Sequence, residues 1–156
     1  MFVTTRTSAK TSLSWGILSG SVGPRARLLR NVLSARSIAA SAPYRLPTGS
    51  LTALSLIAAN PGSSQTALAR RAGINKSALV GIVDELERRG LAARDRSSAD
   101  RRRNSLSVTD EGRKAMDALF DQVTQEEAAI RAALGDKDMA QLLALLDRAI
   151  DALEAE

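Results

Sequence analysis

The sequence predicts a mostly α (α+β) fold: helices throughout, interrupted by one small β-hairpin. Three observations predict it. Apolar residues recur at helical spacing along most of the chain, while aromatic residues make up only 3% of the 156, so the core must be built from Leu, Ile, Val and Ala. Two of the helical stretches are short and meet across a single glycine, Gly73. Two short β-prone runs, residues 91–94 and 106–108, flank a loop crowded with arginine. Together these describe a winged helix-turn-helix with further helices at either end.

Each element has a local cause. Residues 1–21 are rich in Ser and Thr, basic and free of acid, and read as a disordered basic leader. Ala40-Ser41-Ala42 resembles a signal-peptidase site, but Arg25, Arg27, Arg30 and Arg36 interrupt the apolar run that such a signal needs. The same Ser- and Arg-rich composition also suits an organelle transit peptide. No apolar run approaches the roughly 20 residues that span a bilayer, so no membrane partner is expected. Pro24 suits the first turn of a helix carrying Leu28, Leu29, Val32, Leu33, Ala35 and Ala39, which Pro43 stops. A second helix, from about 48 to 59, places Leu51, Leu54, Ile57 and Ala58 on one side and ends in the turn Asn60-Pro61-Gly62. Ser64 caps a third, over 65–72, which Gly73 ends. Asn75 caps a fourth that runs to Arg89 before Gly90, with Ile74 stapled to Leu79. Thr109 caps a fifth, with Asp110 and Glu111 in its positive first turn and Met116, Leu119, Phe120, Val123, Ile130 and Leu134 as its stripe, up to a break at Gly135. A sixth, from about 137, carries Met139, Leu142, Leu143, Leu146, Ile150 and Leu153.

Composition narrows the function. The chain has no cysteine and no histidine, which removes thiol chemistry, disulfides, the Ser-His-Asp arrangement and most metal sites; no cofactor, no metal and no enzyme activity are expected. The remaining acids, such as Asp117 with Asp121, stand at spacings that read as solvated helix faces. Net charge is +5, but residues 1–83 hold ten basic residues and no acid, whereas the rest of the chain is net acidic. A basic half joined to an acidic half suits a polyanion binder on a scaffold.

The helix-turn-helix supplies the binding surface. Ala69 gives the small residue where two helices cross, and Leu79, Ile82, Val83 and Leu86 turn the fourth helix inward. Its other face, with Lys76, Ser77, Ala78, Val80, Gly81 and Asp84, is small or polar, as entry into a major groove about 12 Å wide requires. Lys76 and Ser77 at the start of the fourth helix are placed for phosphates and base edges, and Ser64, Gln65 and Thr66 of the preceding helix are also expected at DNA. The hairpin loop contributes Arg94, Arg96, Arg101, Arg102 and Arg103 toward a minor groove, with Asp100 holding Arg101 in one rotamer.

Residues 46–153 resemble the MarR family of bacterial transcriptional regulators. The resemblance is carried by Ser64-Gln65-Thr66-Ala67-Leu68-Ala69, Lys76-Ser77-Ala78-Leu79-Val80-Gly81, Asp84-Glu85-Leu86-Glu87-Arg88-Arg89-Gly90-Leu91 and above all by Asp100-Arg101-Arg102-Arg103 with Leu106-Ser107-Val108-Thr109 and Gly112. It implies a homodimer that represses or occasionally activates genes, under the control of a small, often aromatic or phenolic, effector. It also implies that Arg101 reaches the minor groove. Residues 1–42 depart from the family's longer, acidic and aromatic first helix.

The domain reading is then a leader over 1–21 and one domain over 22–156. Within it, 46–109 form the winged helix-turn-helix, and 22–42 with 110–156 form dimerisation helices. Leu119, Phe120, Val123, Ile130, Leu142, Leu143, Leu146, Ile150 and Leu153 are expected at the dimer interface, because two one-sided stripes exceed what a single winged domain can cover. The function expected is a cytoplasmic, sequence-specific regulator binding a palindromic double-stranded operator. The alternative is a winged helix used for protein contacts without specific DNA binding.

Overall fold

The computed structural model describes residues 13–41, 44–95 and 105–154. The chain divides into two compact units, Met1–Val32 and Leu33–Glu156, and helix α1 (Gly23–Ser41) runs through the boundary.

In the first unit, residues 13–21 of the expected leader are among those described. Residues Gly16–Leu18 form a 3-10 turn, and the Gly16 N–H donates to Ser14 Oγ at 3.1 Å. The Arg25 guanidinium lies 4.9 Å from the centre of the Trp15 ring and donates to the Ser21 carbonyl at 2.8 Å. The cation over the indole face and its bond one turn back link Trp15 to the start of α1. The rest of the leader, residues 1–12, lies outside the described residues.

The second unit is built around α2 (Ser50–Ala59), α3 (Gln65–Ala72), α4 (Lys76–Arg88), the antiparallel pair β1 (Ala92–Asp95) and β2 (Ser105–Val108), α5 (Asp110–Glu126) and α6 (Ala128–Glu154). Helix α2 starts later than the sequence suggests, because Gly49 takes φ 92°. The expected caps are all made. Ser64 Oγ accepts from Ala67 N–H at 3.1 Å, Asn75 Oδ1 from Ala78 N–H at 2.7 Å, and Thr109 Oγ1 from Gly112 N–H at 3.0 Å. Helices α3 and α4 end in the same way. A left-handed glycine, Gly73 or Gly90, donates to the carbonyl three residues back, and Ile74 or Leu91 donates five residues back, to Ala69 or Leu86. Because Leu91 is consumed in closing α4, the first strand begins at Ala92 rather than at Leu91.

One core holds these elements. Leu54 and Ile57 of α2, Leu68 and Ala69 of α3, Leu79, Val83 and Leu86 of α4, and Leu106 and Val108 of β2 form a single buried cluster. Each buried Leu or Val contributes roughly 1.5–3 kcal/mol by leaving water. The strands pair Ala92 with Val108 and Arg94 with Leu106, so Ala92, Leu106 and Val108 face the core while Ala93 and Ser107 face solvent.

The long fifth helix expected from Thr109 to Leu134 is two helices: α5 ends at Glu126 and α6 begins at Ala128. A side chain distant in sequence meets the backbone at this junction. Arg36 Nη1 donates to the Glu126 carbonyl, and Ile130 N–H donates instead to the Glu127 carbonyl, at 2.9 Å. Gly135 interrupts α6 as the sequence indicates, with φ 69° and ψ 171°.

Candidate nucleic-acid interface

Helix α4 is two-faced. Leu79, Ile82, Val83 and Leu86 are buried, whereas Lys76, Ser77, Ala78 and Gly81 are exposed and Val80 is half-buried. An added Cβ at Gly81 would meet nothing within 4 Å. The four anchors are therefore spent on the core, and the outward face carries small groups, one cation, and the exposed Asp84 toward its far end. At the helix start, Ser77 Oγ donates to Asn75 Oδ1 at 2.8 Å, so its hydroxyl hydrogen is engaged and its lone pairs remain as acceptors. The Asn75 amide nitrogen stands on the same exposed corner, a donor beside Lys76 that sequence reading treated only as a cap.

The first turn of α3 adds Ser64 and Thr66, both exposed, with Gln65 half-buried between them. The other end of α3 faces α6: Arg70 Nη2 lies 3.6 Å from Glu154 Oε2, and Arg71 Nη2 lies 3.6 Å from Asp147 Oδ1. Acids of α6 thus meet the last turn of α3, at the end opposite Ser64–Thr66.

Of the wing arginines, Arg94 alone is described. It was expected at the duplex, but it is turned inward: Nη2 is 2.5 Å from Asp84 Oδ1, and Nε is 2.9 Å from Glu87 Oε2. Its place opposite Leu106 puts it on the inner face of the hairpin, and two carboxylates of α4 take up its charge. Arg94 therefore joins the root of the wing to the recognition helix. Arg96, Asp100, Arg101, Arg102 and Arg103 lie outside the described residues.

The base of α4 is fixed by residues the sequence did not single out for this work. The Glu85 carboxylate accepts from Arg88 and Arg89, and both bonds hold its pKa well down, to about 2 from the ordinary 4.5. Arg89 reaches on to the carbonyls of Tyr44, at 3.0 Å, and Arg45, clamping the segment ahead of α2 to the end of α4. A positively charged residue just before the terminal glycine was visible; its target, more than forty residues earlier, was not.

The expected dimer residues separate into three groups. Phe120, Leu143, Leu146, Ile150 and Leu153 are exposed, Leu153 by 75%. Val123, Ile130 and Leu142 are half-buried. Leu119 is 3% exposed within the single chain and so belongs to its interior, a correction to its expected place at an interface. Helical periodicity put Leu119 and Phe120 on one broad stripe, and only the first of them is buried.

Leu119 also walls a cavity of about 320 Å³ between the Leu33–Arg36 turn of α1, the start of α2 and the end of α5. Leu33, Leu51 and Val123 give it an apolar lining, and Arg36, Thr48, Thr52, Glu126 and Glu127 give it polar edges. Among the described residues, Arg36 makes no ion pair within 4 Å; it donates to the Glu126 carbonyl, and Glu126 and Glu127 line the same cavity.

A recognition helix with a bare outward face, a hairpin rooted on it and a helical base define a winged helix-turn-helix protein. The MarR family model matches residues 46–103. A transcriptional repressor, CouR, bound to a 23-mer DNA duplex superposes with a TM-score of 0.74 at 32% identity, over 89% of this chain and 99% of that one. CouR from Rhodococcus jostii RHA1 bound to p-coumaroyl-CoA gives a TM-score of 0.73 at 28% identity, over 85% of this chain and 94% of that one. A curated relative in Thauera aromatica, described as a putative transcriptional regulatory protein for the hcr operon, is 39% identical over 95 residues, 61% of this chain. This chain spans 57% of that relative's length. The chain belongs to the MarR family of transcriptional regulators.

Proposed function

We propose that this chain is a sequence-specific regulator that binds double-stranded DNA as a homodimer, and that it represses transcription until a small effector releases it. The observation that carries the reading is the outward face of α4, where Lys76, Ser77, Ala78, Val80 and Gly81 leave room for base edges while four apolar residues anchor the opposite side. Ser64, Gln65 and Thr66 would hold phosphates from the start of α3. Arg96 and Arg101–103 would follow the hairpin into the minor groove, with Asp100 orienting Arg101. Arg94 would set the angle of the wing rather than touch DNA.

The exposed stripe of Phe120, Leu143, Leu146, Ile150 and Leu153 supports self-association. A two-fold dimer would set two recognition helices about 34 Å apart, on consecutive major grooves of a palindrome. The cavity beside Arg36 would take a small aromatic or phenolic effector, with the ring against Leu51, Leu119 and Val123 and its polar end among Arg36, Glu126 and Glu127. The DNA duplex and the p-coumaroyl-CoA bound to CouR favour both parts of the reading. The protein would act in the cytoplasm, without catalysis; among the described residues no helix is long and apolar enough to cross a membrane.

The test is a binding-site selection from random duplexes, followed by titration of the selected site with Arg101→Ala. The reading expects a palindromic consensus and a strong loss of affinity in the variant. A protein-contact module would return no consensus and an indifferent variant.

A further inference from the structure

We propose that Asn75 and Ser77 act as one composite reader of adenine in the major groove: the Asn75 amide donates to N7, and the Ser77 hydroxyl oxygen accepts from the N6 amino group. The inference rests on the reading of α4's outward face as a DNA interface and adds which base that face selects.

Hydrogen bonds within the chain fix what each group can offer. Asn75 Oδ1 accepts from the Ala78 N–H at 2.7 Å and from the Ser77 hydroxyl at 2.8 Å. A backbone N–H only donates, so the first of these bonds assigns the amide oxygen to the cap and leaves the nitrogen on the other side of the group. An amide oxygen has two lone pairs, and both are taken. Asn75 therefore meets DNA as a donor. Ser77 has given its hydrogen to Oδ1 and meets DNA as an acceptor. Both residues are exposed, as is Lys76 between them. Further along the same face Ala78, Val80 and Gly81 bring no polar side chain, and Asp84 is engaged by Arg94.

An asparagine amide ordinarily reads adenine with both of its ends, the nitrogen on N7 and the oxygen on N6. That pairing is closed to Asn75, because the cap holds its oxygen. Ser77 supplies the missing half, since the proton it gives to Oδ1 leaves its own oxygen for an outside donor. Of the four bases, adenine alone presents an acceptor beside a donor on its own major-groove edge; guanine shows two acceptors, cytosine a donor, and thymine an acceptor beside a methyl group. Against guanine, Ser77 would face O6, acceptor to acceptor. Against either pyrimidine, one of the two groups would stay unpaired. Lys76 has three donors and no acceptor, so it does not distinguish N7 of adenine from N7 of guanine. The same bonds that start the helix hold both side chains in place before DNA arrives, which reduces the ordering cost of binding.

The experiment uses the full chain and the consensus it selects from random duplexes, which is expected to hold an adenine at one fixed position in each half-site. Two analogues probe that position: 7-deazaadenine, which lacks the N7 acceptor, and the base purine, which lacks the 6-amino group. Each is expected to weaken binding to the parent by about 5–150-fold, the range for a good base contact. Asn75→Asp keeps the capping oxygen and removes the donor. Asp caps as well as Asn, so the variant is expected to melt with the parent. Its added charge weakens every duplex alike, but 7-deazaadenine is expected to cost it nothing further, while purine still does. Ser77→Ala is expected to show the converse, indifference to purine with full sensitivity to 7-deazaadenine. Analogue penalties that are the same in both variants as in the parent overturn the proposal and leave the two residues as a cap only. A consensus with no fixed adenine overturns it as well, while the DNA-binding reading stands. A parent that selects no consensus overturns that reading and this proposal with it. Should Asn75→Asp fail to fold, the response of Ser77→Ala to the two analogues decides.

Discussion

Gly112 lies so close against the Leu91 carbonyl that a Cβ added to it would come within 1.9 Å of the oxygen. The first turn of α5 is therefore pressed onto the turn that ends α4. Thr109 secures the same junction from the other side: its hydroxyl donates to the Gly90 carbonyl, its N–H donates to the Leu91 carbonyl, and its oxygen caps Gly112. The motif Leu-x-Val-Thr-x-x-Gly is the covalent record of one contact, between the recognition helix and the helix leading to the dimer base.

Gly112→Ala is expected to destabilise the fold by about 1–3 kcal/mol, because backbone rather than a flexible side chain blocks the added methyl. Thr109→Ala is expected to cost about 0.5–2 kcal/mol through loss of the cap, and Thr109→Ser to restore most of it. Thermal denaturation of the three variants checks both; a Gly112→Ala protein as stable as the parent contradicts the close approach.

Changing Leu143 to Asp is expected to give folded monomers that lose operator binding, because Leu143 is 50% exposed on α6 and its removal disturbs no core. Leu119→Asp is expected to unfold the protein instead, since it places a charge in the interior. Light scattering combined with circular dichroism separates the two; a dimeric Leu143→Asp protein defeats the assignment of the interface.

Affinity for operator is expected to fall steeply with salt, with a log–log slope near −0.9 for each phosphate neutralised. Lys76→Ala is expected to weaken binding to all duplexes alike and to reduce that slope by about 1. A slope that Lys76→Ala leaves unchanged removes Lys76 from the phosphate contacts.

Acid sensitivity is expected to trace in part to Glu85. Its folded pKa, about 2, lies below the ordinary 4.5, so the folded state binds this proton less readily than the unfolded chain. The stabilisation is fully present above pH 4.5 and fades as pH falls from there toward about 2. Glu85→Gln removes the contribution, and the variant's stability is expected to vary less with pH across that window. Denaturant titrations at several acidic pH values check it.

What the sequence made legible was local. Ser64, Asn75 and Thr109 cap because their oxygens reach N–H groups three residues on, and Gly73, Gly90 and Gly135 break helices by their own backbone freedom. The outward face of α4 followed from periodicity, because four apolar positions leave only one side for solvent. The rest depends on residues distant in the chain. Arg36 meets the Glu126 carbonyl across ninety positions, and Arg89 clamps Tyr44 across forty-five. Neither spacing has a local signature. Periodicity also showed that α5 had an apolar stripe without showing which part would be covered, so Leu119 and Phe120 were read together although only one is buried. Arg94 read as one basic residue among many; the strand register turned it toward Asp84 and Glu87.

The vacancy at Gly81 gives this protein an adjustable reader. An alanine there would raise helix stability by about 0.5–1 kcal/mol without a clash, because an added Cβ meets nothing within 4 Å. Asparagine or arginine at that one position would bring a new pair of donors to the floor of the groove. A substitution at this one position is thus expected to change which duplexes the proposed interface prefers while the fold stays as it is.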